Sequence, residues 1–168
     1  MNRDDFVRHF GAIYEHSPWV AECAAACLGE KFSREQVERL MMDCVDNASR
    51  ERRLELIRAH PDLAGKAQMQ GELTEASTSE QASAGLDQCT EEQYLEFQSL
   101  NNRYKERFQF PFIMAVRNSN RIEILQALNL RVGNSYDVEF ETALIEIHKI
   151  ASLRLQAMEC DTWGEIDD

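Results

Sequence analysis

Residues that interrupt regular structure are scarce: three prolines and seven glycines punctuate 168 positions. Strict apolar/polar alternation, the mark of a half-buried strand, is nearly absent. Together these absences exclude a turn-rich sandwich or barrel. No apolar run approaches the ~20 residues that a membrane-spanning helix needs. Positive charge is also short, with 18 Lys and Arg against 30 Asp and Glu, a net charge of -12. A nucleic-acid surface needs clustered cations. The densest basic run here, "RERRLELIR", is interleaved with acids and reads as the solvated face of a helix. Five cysteines, at 23, 27, 44, 89 and 160, are an odd number at irregular spacing. That argues against a disulfide framework and for a reducing compartment. Cys23 and Cys27 lie one helical turn apart, but no second Cys/His pair stands near them in sequence. They read as buried or idle thiols and not as a metal site.

What is present is helix. Apolar content of 43% with 29% charged residues is ordinary for a globular chain, and 168 residues suffice for one domain with a real core. Phe6, Phe10, Ile13 and Tyr14 share one helical face. "SPWVAECAAACLG" offers Ser17 as N-cap, Pro18 at the first helical position and Gly29 as a stop. A capping box, Ser33 to Gln36, opens a helix running to His60 with a break near Asn47. A second box, Thr90 to Gln93, opens another. "NRIEILQALNLRVG" is a shorter helix, and the last runs from about Asp137 to Met158. The expectation is a single all-α domain over 1–168, a bundle of about 7–9 helices. The N-terminal "MNRDDFVRHF" has no apolar signal core and "TWGEIDD" carries no lipidation or peroxisomal address, so a cytoplasmic location is expected.

Four polar or irregular features stand out from that background. His60 ends a helix, because Pro61 disfavours the helical conformation of the residue before it. A histidine there suits the helix macrodipole, and it is also well placed as a base. Ser77, Glu80 and Gln81 cluster at a helix start; Ser77 and Glu80 have capping-box spacing, and such a turn also suits an anionic ligand. Arg154 falls on the stripe Phe140, Leu144, Ile147, Ala151, Arg154, Met158 and so points at the core. It is either paired with an internal carboxylate or snorkelling, or it is a fork for a carboxylate ligand. "FQFPFIMAVRN" is apolar and bent by Pro111. Phe110, Phe112 and Ile113 are either core or a backbone surface for a small planar ligand. This is the inventory of an acid/base site that needs no cofactor. A helical interaction module with core and capping residues in these places, or a hydrolytic or isomerising enzyme, fits the same inventory.

With those residues in view, the sequence resembles the ureidoimidazoline decarboxylase family of purine catabolism. The stretches that carry the resemblance are "HSPWVAE" (16–22), "HPDLAGK" (60–66), "LTEASTSEQASAGLD" (73–87), "LNNRYKERFQFPFIMAVR" (100–117) and "EIHKIASLRL" (146–155). They occur in the family's order and span nearly the whole chain. One departure is Gln109, where a glycine is common. The resemblance implies an all-helical fold. It implies decarboxylation of 2-oxo-4-hydroxy-4-carboxy-5-ureidoimidazoline (OHCU) to (S)-allantoin, with no metal or organic cofactor. His60 would be the catalytic histidine and Glu80 its acidic companion. Pro61, Ser77, Gln81 and Arg154, with backbone groups near Phe112, Ile113 and Met114, would bind the substrate. Neither nucleic acid nor membrane is an implied partner; a homodimer is allowed. His9, His16 and His148 are left as structural or surface residues.

Overall fold

The computed structural model describes residues 1–29, 31–63 and 73–158. Among them there are eight α-helices and no strand. They are α1 (Arg3–Phe10), α2 (Trp19–Ala25), α3 (Arg34–Asp46), α4 (Arg50–Arg58), α5 (Glu75–Ser83), α6 (Glu91–Phe108), α7 (Arg121–Arg131) and α8 (Tyr136–Ala157). A short 3-10 helix, Leu86–Gln88, follows α5. The all-α expectation holds, and the helix count falls within the expected range.

Side-chain caps explain where most helices start. Asn2, Ser33, Ser49, Thr74, Thr90 and Asn120 each accept the backbone N–H three residues on. Each such cap stabilises its helix by about 1 kcal/mol. Both expected capping boxes are complete, at Ser33/Gln36 and Thr90/Gln93. The break near Asn47 is real, since α3 ends at Asp46 and Ser49 caps α4. Ser17 is not a cap: Pro18 takes that position, and Ser17 Oγ donates to the Glu15 carbonyl. The helix at Phe6 and Phe10 stops at Gly11, so Ile13 and Tyr14 are buried from a turn and not from the same helix.

The chain divides into two compact units, residues 1–59 with 148–168, and residues 60–147. The division falls inside α8. In the first unit Phe6, Phe10 and Phe32 meet ring to ring at 4.6 and 5.5 Å. Val20, Val37, Met41 and Val45 extend the apolar set. The expectation of unpaired thiols fails at one pair. Cys23 on α2 and Cys44 on α3 form a disulfide, with Cα atoms 6.1 Å apart. Spacing along the chain concealed it, because the pair is set by two neighbouring helices. Cys27 is a free, exposed thiol. His148 is structural: its Nδ1 hydrogen-bonds with the Tyr14 hydroxyl at 2.8 Å and its Nε2 with Asp46 at 2.9 Å. His16 is exposed and takes a positive φ of 46°.

In the second unit the core is aromatic. Tyr104, Phe108, Phe110, Phe112 and Phe140 are all at most 2% exposed, and Tyr104 meets the edge or face of three of the others within 6.0 Å. Two left-handed residues end its helices. Gly85, with φ 75°, follows α5, and Gln109, with φ 60°, follows α6. A side chain in that region costs about 1–2 kcal/mol, which is why glycine is the usual residue there. Gln109 recovers part of the cost by donating from its amide to the Glu106 carbonyl at 2.8 Å. Gln109→Gly is therefore expected to stabilise the protein by roughly 0.5–1 kcal/mol, seen as a higher urea midpoint with an unchanged slope.

Candidate active site

Five candidates can be built from α5 and the turn after α4. Ala59 caps α4, and Pro61 stops the chain from continuing as helix. His60 is buried at that stop, with 8% of its surface exposed, and Pro61 is half-buried beside it. The next two residues are held firmly. Gln81 Nε2 donates to the Asp62 carbonyl at 3.3 Å, and Asn101 Nδ2 donates to the Leu63 carbonyl at 2.9 Å. Lys105 Nζ donates to the Asp62 carboxylate at 3.1 Å. The rest of "HPDLAGK", from Ala64 to Lys66, lies outside the described residues.

The capping-box reading of Ser77 and Glu80 is overturned. The cap of α5 is Thr74, whose hydroxyl accepts the Ser77 N–H. Ser77 and Glu80 are thus interior residues of the helix. With Gln81 they stand at i, i+3 and i+4, which places all three on one face. Ser77 and Gln81 are buried, at 5% and 2% exposure, and Glu80 is half-buried. A helix normally turns an apolar stripe inward. Here the inward face is polar, and Gln81 binds the chain two residues beyond His60. A buried polar row is the informative exception to apolar burial.

The bent segment behaves as its proline suggests. No helix forms between Gln109 and Asn120. Phe110, Phe112, Ile113 and Val116 are buried, and Met114 is half-buried. The Phe112 ring meets Tyr104 edge-on at 5.4 Å. Tyr104 lies between Asn101 and Lys105 on α6, so this helix holds both the 62–63 turn and the 110–113 segment.

Arg154 belongs to the first unit and is engaged there. Its Nη2 donates to the Glu15 carboxylate at 2.8 Å and its Nη1 to the Ile13 carbonyl at 3.2 Å. Both side chains are buried. The internal carboxylate partner is therefore Glu15, which the periodicity of α8 gave no means to identify.

A second buried network escaped sequence reasoning altogether. Glu139 has no exposed surface. It accepts from Tyr104 Oη at 2.6 Å, Arg131 Nε at 2.9 Å and Asn134 Nδ2 at 3.1 Å. In sequence, Glu139 looks like an ordinary first-turn acid complementing the dipole of α8. Its signal was position: it directly precedes Phe140, on the edge of the apolar stripe. Among the described residues no group of three or more His, Cys, Asp or Glu is placed to hold a metal ion.

The model of a protein family described as OHCU decarboxylase matches residues 1–156. The chain belongs to the OHCU decarboxylase family. It is 49% identical, over 92% of its length, to a Haloferax volcanii protein named 2-oxo-4-hydroxy-4-carboxy-5-ureidoimidazoline decarboxylase, and covers 89% of that protein. Two crystal structures are similar to it. One is an (S)-allantoin synthase, with TM-score 0.73 and 32% identity; 94% of this chain matches 50% of that one. The other is an OHCU decarboxylase in the presence of (S)-allantoin, with TM-score 0.67 and 26% identity, where 82% of this chain matches 87% of that one. The family match takes in every candidate residue named above, from His60 to Arg154.

Within this family member the Glu139 network has an electrostatic signature. Burial, and then the neighbouring carboxylate, push the Tyr104 phenol far above its ordinary range. Burial does the same to Tyr14, with the charges of Asp46 and Glu38 adding to it. Both stay protonated in the fold, while the unfolded phenols ionise near 10.0. Their raised values contribute stability that is complete below that point and lost as pH rises above it. We expect an unfolding free energy, measured by urea titration, that is flat for these groups to pH 9 and falls beyond pH 10 by about 1.4 kcal/mol per pH unit for each tyrosine. Tyr104→Phe should roughly halve that alkaline slope.

Proposed function

We propose that this decarboxylase converts OHCU to (S)-allantoin, with His60 as the acid/base group. The observation that carries the reading is the polar row Ser77, Glu80, Gln81 on the inward face of α5, tied by Gln81 to the turn beside His60. The family match over residues 1–156 supports the same reaction.

The chemistry needs few groups. Breaking the carbon–carboxylate bond releases CO2, forms a carbon–carbon double bond and moves the adjacent C=N pair onto the ring nitrogen, which takes up one proton, so the substrate supplies its own electron sink. The enol left behind loses its hydroxyl proton as the carbonyl forms, and the neighbouring ureido carbon takes a proton. Delivery to one face sets the S configuration. A histidine serves both transfers, since it changes charge near neutral pH. A rigid mount makes the delivery one-sided. His60 has that mount, between the end of α4 and a turn held by three side chains. Glu80 is its acidic companion. Ser77, Gln81 and Pro61 contact the ureido and ring groups, together with backbone groups of Phe112 to Met114. For Arg154, which Glu15 holds in the first unit, the family resemblance implies a part in binding and orienting the carboxylate. Arg154 is not given a larger role, because holding the carboxylate tightly in the ground state opposes its departure as neutral CO2.

The protein is proposed to act in the cytoplasm on a small molecule, without nucleic acid, membrane or cofactor, over one functional domain of 168 residues. In that compartment the thiol pool would reduce the Cys23–Cys44 bond.

The test generates OHCU in place from urate with urate oxidase and hydroxyisourate hydrolase, then follows allantoin by circular dichroism. The wild-type chain should give rapid appearance of one enantiomer with release of CO2. His60→Asn should keep its helical spectrum and lose about 10²–10⁴ of the rate. A folded His60→Asn protein with near-normal turnover would remove His60 from the chemistry. Only the slow racemic background from wild type would remove the activity itself.

A further inference from the structure

The segment from Phe110 to Val116 has no helical bonds of its own, yet two of its backbone groups are taken by charged side chains. Arg131, the last residue of α7, donates from Nη1 to the Ile113 carbonyl at 2.7 Å. Two residues on, the Ala115 N–H donates to the Glu146 carboxylate at 3.2 Å. Peptide units are planar, and none here is cis. In a trans unit the C=O and the following N–H point in opposite directions. Fixing the Ile113 carbonyl on Arg131 therefore fixes the Met114 N–H, directed away from Arg131. Fixing the Ala115 N–H on Glu146 likewise fixes the Met114 carbonyl. The two polar groups of Met114 are aimed by side chains on other helices.

Arg131 is itself held on two more sides. Its Nε donates to Glu139 at 2.9 Å, and its guanidinium carbon lies 4.3 Å above the centre of the Phe112 ring. Stability alone does not ask for this arrangement. A buried ion pair is often replaced by apolar residues with no loss. The third nitrogen, Nη2, is buried with no hydrogen-bond partner among the described residues, which is a cost. A fork that spends one bond on a carboxylate and another on a backbone carbonyl is a device for direction.

We infer that Arg131 is a positioning residue for the decarboxylation, aiming the Met114 N–H at the substrate through the Ile113 carbonyl. This rests on the reading of Phe112–Met114 as substrate-binding backbone. Arg131 touches no reacting atom, and its effect is on binding geometry.

The test is Arg131→Lys, which keeps a cation for Glu139 but lacks a planar fork to serve two acceptors at once. A second variant, Arg131→Met with Glu139→Gln, removes the ion pair and leaves a partner for the Tyr104 hydroxyl. Both are assayed in the coupled allantoin system and titrated with (S)-allantoin, with thermal unfolding as the fold control. The expected result is a loss in kcat/KM of about 10- to 100-fold, carried mainly by KM and by weaker (S)-allantoin affinity. The pH profile of kcat, which reports the acid/base group, should keep its shape. A folded variant with wild-type KM and allantoin affinity overturns the inference. Failure of both variants to fold also overturns it, by showing the pair to be structural. In either case active wild type leaves the parent reading standing, whereas inactive wild type overturns both.

Discussion

A carboxylate with no exposed surface must be given donors or lose its charge, and Glu139 is such a carboxylate. Much of the second unit is arranged around meeting that demand. Tyr104 comes from α6, Arg131 from the end of α7, and Asn134 from the turn before α8. Three segments that could each shift slightly on an apolar contact are thus registered to one point. Arg107 adds to this by donating twice to the Asn134 carbonyl. The aromatic cluster around Tyr104 packs in the register so defined. Apolar packing supplies most of the burial, and the buried acid supplies uniqueness.

The same economy appears on α6. Asn101, Tyr104 and Lys105 occupy one stretch of about a turn and a half. They hold the Leu63 carbonyl, the Phe112 ring and the Asp62 carboxylate in turn. A helix is a stiff ruler, so spacings along it are transmitted to the loops docked on it. Loops that carry chemistry need that support, because a loop fixed only by its own backbone is too mobile to place a proton on one face.

The fold was legible because its signals are local. Cap residues, the break at Asn47 and the apolar stripe of α8 all act within a few positions, and each reappears in the structure. The errors arise where a second local signal wins or where the partner is distant in sequence. Ser77 and Glu80 have capping spacing, yet Thr74 lies one turn earlier and takes the cap. Cys23 and Cys44 are 21 positions apart and meet only because α2 lies against α3. Arg154 was recognisable as misplaced on an apolar stripe, but its partner Glu15 is 139 positions away. Glu139 was camouflaged by a local role that any acid in a first turn can play. Gln109 is the converse case: the unusual residue was visible in sequence, and only the left-handed backbone explains why glycine is common there.

The division inside α8 bears on how the protein is made. Residues 60–147 are contiguous, so that unit has all of its parts as soon as Ile147 leaves the ribosome. The other unit is assembled from both sides of it, and its early portion must wait. Until α8 is complete, Glu15 lacks Arg154 and Tyr14 lacks His148. The order of synthesis thus completes the contiguous unit's sequence before that of the unit which closes around Arg154 and His148.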